Sequence, residues 1–258
     1  RALEMGTFDA TREIARELPM RMLGQILGTP EEDLPWLVEK GDALMANSDP
    51  DFTEHVVDRM DTDAYRMMPF NSPAGAELYE YARDLMDRKN AAGETDGVLH
   101  MVLQPDENGE TISETEFRNF FCLLVAAGND TTRYSIAAGI QALARQPGLL
   151  EQFQSGEVWA TGAGDKVLYW FASANRDDTV FDDPYRLDLT RKPNRQLAWG
   201  QGGPHVCLGM HLARLEVRVL FQELCARIRA IAPAGPEAFV RSNFVNGIKR
   251  LPVTVTPA

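Results

Sequence analysis

Apolar residues recur at helical spacing along most of this chain. Ile14, Leu18, Met22 and Ile26 place one stripe along residues 10–27, and Gly28-Thr29-Pro30 ends it. Residues 31–45 form a second amphipathic segment, broken by Asn47-Ser48-Asp49-Pro50. Residues 52–68 are too charged for a core-facing stripe and predict an exposed helix-loop. Ser72-Pro73 opens a helix over residues 74–89, with Leu78, Tyr81 and Leu85 along one face. Ser113-x-x-Glu116 is a capping box, and no breaker follows until Pro147-Gly148, so this helix should run for about 50 Å. Its first half, with Phe117, Phe120, Phe121, Leu124 and Val125, is apolar almost all round and predicts burial. Residues 166–174 are β-branched and aromatic enough for a strand. Residues 208–228 read as another apolar helix, and residues 241–255 as a hairpin turning at Asn246-Gly247.

With 258 residues, 44% of them hydrophobic, the chain describes one large domain with ample core. No stretch suggests a membrane span or an internal repeat. A net charge of −12 argues against nucleic acid as a partner. Cys122, Cys207 and Cys225 are odd in number and unclustered, which suits a reducing, cytoplasmic setting better than a disulfide framework. No signal peptide or anchor is evident. The chain opens with Arg1 inside a helical pattern, so the start of the protein is expected upstream.

The densest chemistry lies in Trp199-Gly200-Gln201-Gly202-Gly203-Pro204-His205-Val206-Cys207-Leu208-Gly209. Its glycines and proline exclude regular structure and bring backbone N–H groups close to whatever the loop holds. A cysteine there, entering a helix, is stabilised as thiolate by those donors and by the positive end of the helix dipole. Thiolate is the metal-binding form, so Cys207 reads as a ligand. A zinc half-site with His211, or a phosphate-cradling loop, would also use such residues, but neither second ligand pair nor strand-loop-helix context is present.

This loop, followed by Met210-His211-Leu212-Ala213-Arg214-Leu215-Glu216, resembles the haem-thiolate signature of the cytochromes P-450, with Trp199 where Phe is usual and one residue further from the cysteine. The spacing resembles that of bacterial members acting on sterol, isoprenoid and branched-alkyl substrates. The resemblance implies a mainly α (α+β) fold, helix-rich with small β-sheets, and one long central helix over haem b. Cys207 would be the axial ligand to iron. His205 would reach a haem propionate, and Gly128, Trp199, Gly200, Gly209 and Ala213 would line the cofactor.

The long helix resembles the oxygen-activating helix of the same family at Ala126-Ala127-Gly128-Asn129-Asp130-Thr131-Thr132. An acid and two hydroxyls inside an apolar helix cost several kcal/mol if buried and unsatisfied, which suggests a use. The resemblance makes Asp130 and Thr131 the proton-delivering acid–alcohol pair. A helix-bending threonine beside a surface aspartate is the bland alternative. Ala126, Ala127, Phe244 and Val245 match substrate-contacting positions, and residues 31–45 and 74–89 match the helices roofing the substrate cavity.

The implied function is a monooxygenase inserting one atom of O2 into a C–H bond of an apolar substrate. It would act as a monomer, with electrons from a ferredoxin and its reductase docking near the basic residues Arg214, Arg218, Arg227 and Arg229. The family pairs an arginine at the place of Arg186 with an E-x-x-R helix, and no E-x-x-R lies between Pro147 and Cys207. A buried Arg186 without partners would be costly, so an internal segment near residues 158–162, together with an N-terminal portion, is expected to be lacking. That lack favours two rivals, a haem- or ligand-binding protein without turnover and a helical scaffold without cofactor.

Overall fold

The structure, a computed structural model, describes residues 2–57, 59, 61, 63–146, 148–154, 180–194, 196, 198–199, 206–242 and 247–258. The strand expected over 166–174 lies outside them, as does the expected gap near 158–162. The chain divides into two compact units: Leu18–Thr131 with Arg241–Phe244, and Arg1–Glu17 with Thr132–Val240 and Val245–Ala258.

The first unit is helical. Its α1 runs over Glu17–Leu27 and stops where Gly28 turns to φ 64°. The single helix expected over 10–27 is two pieces, a π-helical turn at Thr11–Ala15 and then α1. Pro19 explains the break, because a continuous helix would need its missing N–H to bond the carbonyl of Ala15. Next, α2 (Leu34–Met45) buries Leu37, Val38, Leu44 and Met45. The described residues between 52 and 68 contribute turns, bends and a short 3-10 piece, Asp63–Tyr65. In α3 (Pro73–Ala91) the Ser72 hydroxyl caps the start by accepting the Ala74 N–H, and Leu78, Tyr79, Ala82 and Leu85 turn inward. Trp36, Tyr81 and Phe121 stack in series, with centroids 5.0 and 5.9 Å apart, tying α2, α3 and the long helix together. A short helix, α4 (Val98–Val102), follows.

The long helix, α5, covers Glu114–Arg145 and its capping box is formed as expected: Glu116 N–H donates to Ser113 Oγ at 3.2 Å, and the Glu116 carboxylate takes the Ser113 N–H at 2.7 Å. Its first part, through Thr131, belongs to the helical unit, where Phe121 and Val125 are fully buried.

In the second unit, the end of α5 and α7 (Met210–Arg227), with α6 (Leu149–Gln154) between them in sequence, share a core with a small sheet. Ile136, Ile140, Val217, Phe221 and Leu224 meet Val253 and Val255 there. The sheet is antiparallel in the order β1 (Thr7–Asp9), β5 (Pro252–Pro257), β2 (Ile228–Pro233). Val253 and Val255 face in while Thr254 and Thr256 face out, the period-two pattern of a half-buried strand.

The expected hairpin over 241–255 is not formed as one unit. Here β4 (Ile248–Arg250) pairs with β3 (Ala238–Phe239), and the chain then switches to β5 in the other sheet. Val240 N–H donates to Gly247 O at 2.8 Å, so Gly247 closes the base of a longer connection, and its φ is not left-handed as a type I′ turn requires.

Among the described residues, no helix is long and apolar enough to cross a membrane. The mainly α architecture with small sheets and one long helix agrees with the expected fold class.

Candidate functional site

Cys207 belongs to the second unit and stands three residues before the start of α7. Its N–H donates to Trp199 O at 3.0 Å, and its carbonyl accepts the Met210 N–H at 3.2 Å, so both backbone groups are used in turning the chain into the helix. The thiol is free and exposed. Its neighbours Val206 and Leu208 are exposed apolar residues, Leu208 at 89%. Gly209 caps α7 at φ −80°, and a methyl group there would meet no atom of the described residues within 4 Å. Ala213, one turn into α7, is half-buried. Gly200 and His205 lie outside the described residues.

Trp199 is held from α7. The Arg214 guanidinium lies 5.6 Å from its ring centre, a cation–π contact that anchors the far end of the cysteine loop. Arg214 is therefore not simply a solvated charge, and no local spacing in the sequence signals the pairing. The indole Nε1 of Trp199 is buried and has no hydrogen-bond partner among the described residues.

The three cysteines are now separable. Burial pushes the thiols of Cys122 and Cys225 up to about 12, which makes them poor thiolates. Cys207 is the exposed one. Among the described residues no group of three or more His, Cys, Asp and Glu could hold a metal ion. A single exposed sulfur at a helix entrance, flanked by exposed apolar side chains, fits a flat apolar group that carries the rest of its own metal ligands, which is the donor chemistry of haem.

On α5, in the helical unit, Asn129 and Asp130 are fully buried, with Asn129 Nδ2 donating to Asp130 Oδ1 at 3.2 Å. Thr131 is only half-buried, and its hydroxyl donates to Ala127 O at 2.6 Å. Thr132 is buried at 5% exposure. The acid and the alcohol thus stand on different faces of the helix. Thr131 shares an open face with Ala127 and with Leu123, which is 62% exposed, whereas Ala126 is buried in the unit's core. The space expected beside Gly128 is filled by a protein group: a methyl there would stand 3.1 Å from Leu23 Cδ1 of α1. Phe244 and Val245 lie outside the described residues.

The expected burial of Arg186 is not found: it is exposed, so the cost of burying it unpaired does not arise. One further group escaped the sequence. Glu216, on the core-facing side of α7, is 6% exposed, its Oε2 has no hydrogen-bond partner among the described residues, and burial pushes its carboxyl up to about 7. A glutamate at an apolar-stripe position was the only available signal.

No family model matches the chain. Cytochrome P450 126 of Mycobacterium tuberculosis is 38% identical over 281 residues, covering 95% of this chain and 64% of its own length. A methyl-branched lipid omega-hydroxylase of Mycobacterium bovis is 33% identical over 278 residues, covering 95% and 62%. The chain thus spans less than two thirds of these curated relatives. Each alignment is also longer than the chain's 258 residues, so the relatives carry intervening residues with no counterpart here. Among solved structures, Mycobacterium marinum cytochrome P450 CYP268A2, in complex with pseudoionone, superposes with a TM-score of 0.81 at 29% identity, over 98% of this chain and 67% of that one. CYP108D1 of Novosphingobium aromaticivorans gives 0.76 at 27% identity, over 100% and 66%. With an exposed, helix-entering cysteine, a long capped helix and these likenesses in sequence and fold, the chain belongs to the cytochromes P450, of which it represents a part.

Proposed function

We propose that this chain is the substrate- and haem-binding part of a monooxygenase that inserts one oxygen atom from O2 into a C–H bond of an apolar molecule. The observation that carries the proposal is the free, exposed thiol of Cys207 between Val206 and Leu208 at the entrance to α7. The names of relatives support the substrate class: a methyl-branched lipid omega-hydroxylase and a steroid C26-monooxygenase.

Cys207 would hold the iron of haem b as thiolate, favoured by the N-terminal end of the α7 dipole. Bound there, haem supplies the centre at which O2 is reduced and the C–H bond oxidised. Arg214 over Trp199 fixes the chain entering the loop, so that the sulfur is presented at one place. Gly200, Gly209 and Ala213 would leave room for the macrocycle, and His205 would donate to a propionate. Leu123 and Ala127 give α5 an apolar face against which a substrate can lie out of water. Thr131, on that face, would pass a proton by releasing its bond to Ala127 O, and Asp130 would resupply protons from the buried side through a change of rotamer or a water. Phe244 and Val245 would complete the substrate contacts. Electrons would come from a ferredoxin and its reductase.

The test is the spectrum of the reduced, carbon-monoxide-bound protein, because a thiolate ligand moves the Soret band far to the red of a histidine-ligated one. Wild type, Cys122→Ala and Cys225→Ala should show that band, and Cys207→Ala should lose it. A fully reconstituted wild type without the band would leave the cofactor-free scaffold as the better reading.

A further inference from the structure

Asn108-Gly109 sits in the exposed connection between α4 and α5, within the helical unit. Asp106 organises the turn there. One oxygen of its carboxylate accepts the N–H of Asn108 at 2.8 Å and the N–H of Glu110 at 2.9 Å, and the other accepts Asn108 Nδ2 at 3.3 Å. These donors, the Glu110 N–H first among them, hold the Asp106 carboxyl below its ordinary range. The Gly109 N–H donates to Asp106 O at 3.0 Å, and Gly109 takes φ 83°.

Each of these bonds joins residues no more than four apart, and a methyl group on Gly109 would meet no atom of the described residues within 4 Å. The turn is thus tied to itself, and it opens locally at little cost. Once open, it exposes a reactive pair. Glycine has no β-carbon to crowd its nitrogen, so that nitrogen can reach the side-chain carbonyl carbon of the preceding asparagine and close a five-membered ring. In this chain only Asn108 and Asn246 precede a glycine, and Asn246 lies outside the described residues.

We propose that Asn108 is a site of deamidation in the folded protein, and that Asp106 is both the brake on the reaction and the latch that its product breaks. The Gly109 nitrogen loses its proton to solvent and attacks Asn108 Cγ. The Cγ–Nδ2 bond breaks, and ammonia leaves with a proton taken from water. One water then opens the cyclic imide, at Cγ to give aspartate or at the backbone carbonyl to give isoaspartate. Nothing is oxidised or reduced, and water is the co-reactant. Asp106 slows the attack because its carbonyl holds the Gly109 N–H and its carboxylate holds the Asn108 side chain. Either product removes the NH2 donor and adds a carboxylate beside Asp106, so like charges meet and the turn ahead of the α5 capping box loosens.

The test is peptide mass mapping of the folded, full chain aged in mildly alkaline buffer, with residues 108 and 246 read on separate peptides. Asn108 should convert ahead of Asn47, Asn71, Asn90 and Asn119, each of which precedes a residue with a β-carbon. Asp106→Ala should speed conversion at Asn108 by about threefold or more, the restraint of at least one hydrogen bond. In Asn108→Asp, which mimics one product, the Glu110 amide should lose hydrogen-exchange protection by about threefold or more while the amides of α3 keep theirs. An intact Asn108 after those other asparagines have converted overturns the site. Equal rates in wild type and Asp106→Ala overturn the brake, and unchanged exchange in Asn108→Asp overturns the latch.

Discussion

Gly247 lies so close to the ring of Tyr134 that a methyl group on its α-carbon would stand 2.5 Å from three ring atoms. Tyr134 is 1% exposed, and Arg133 donates to its hydroxyl at 2.9 Å, so the ring has little room to retreat. Gly247→Ala should destabilise the protein by about 1–3 kcal/mol through overpacking. Gly209→Ala, where a methyl meets nothing, should stay within about 0.5 kcal/mol when cofactor is absent. Urea midpoints of the two variants check both values. Equal midpoints would mean that the Tyr134 contact is not made.

Glu216 gives stability a pH dependence of known sign. Below about pH 4.5 the carboxyl is protonated in both folded and unfolded chains and contributes no difference. Between there and about pH 7 the unfolded chain gives up the proton while the folded one keeps it, so stability falls as pH rises. Above that the penalty is constant, at most about 3 kcal/mol. Glu216→Gln should therefore be more stable than wild type at pH 8 and lose this slope, as read from thermal or denaturant midpoints between pH 5 and 8. An unaltered slope would assign it to other groups.

The split of Asp130 and Thr131 between two faces of α5 separates their effects. Thr131→Ala should keep haem, thiolate spectrum and ligand affinity, since none needs the hydroxyl. Oxygen consumption should continue while product falls and hydrogen peroxide rises. Asp130→Asn should slow turnover with an enlarged solvent isotope effect. Thr132→Ala, about 100° round the helix from Thr131 and buried, should affect stability more than coupling. Wild-type coupling in Thr131→Ala would mean that protons travel by another path.

Electron delivery offers a fourth check. Arg218→Glu should slow reduction by ferredoxin, more at low salt than at high, because screening weakens surface steering. Arg214→Glu should in addition release Trp199 and so disturb the thiolate spectrum before any partner is added. Salt-independent reduction in wild type and Arg218→Glu would remove this surface from consideration.

What was legible in the sequence was local. The start of α5 follows from Ser113 and Glu116 alone, the end of α1 from Gly28 and the start of α3 from the Ser72-Pro73 pair, because caps act within one turn. Pro19 carried the break before α1 in plain view, but the apolar stripe running through it suggested continuity. What could not be read was set by distant partners. Asn246-Gly247 resembles a tight turn, yet Gly247 is needed for the ring of Tyr134, more than a hundred positions earlier. Likewise Gly128 faces Leu23, Arg214 covers Trp199, and Arg186 is exposed. Each depends on which surfaces meet after folding, and a one-dimensional pattern does not encode that. The site was legible at Cys207, where glycines and a helix entrance coincide, and less so at Asp130 and Thr131, whose neighbouring positions hide different orientations.

The antiparallel pairing of β1 with β5 has a consequence for how the protein is made. Thr7 and Thr254 share a hydrogen bond across 247 residues, and Asp9 Oδ1 accepts the Leu251 N–H. On the ribosome, β1 emerges among the first elements of this chain and must wait, with Phe8 uncovered, until β5 is synthesised. The helical unit, whose contacts are nearer in sequence, can gather meanwhile. An arrest of translation before β5 would thus leave an apolar strand edge open, the state most prone to pair with another nascent chain.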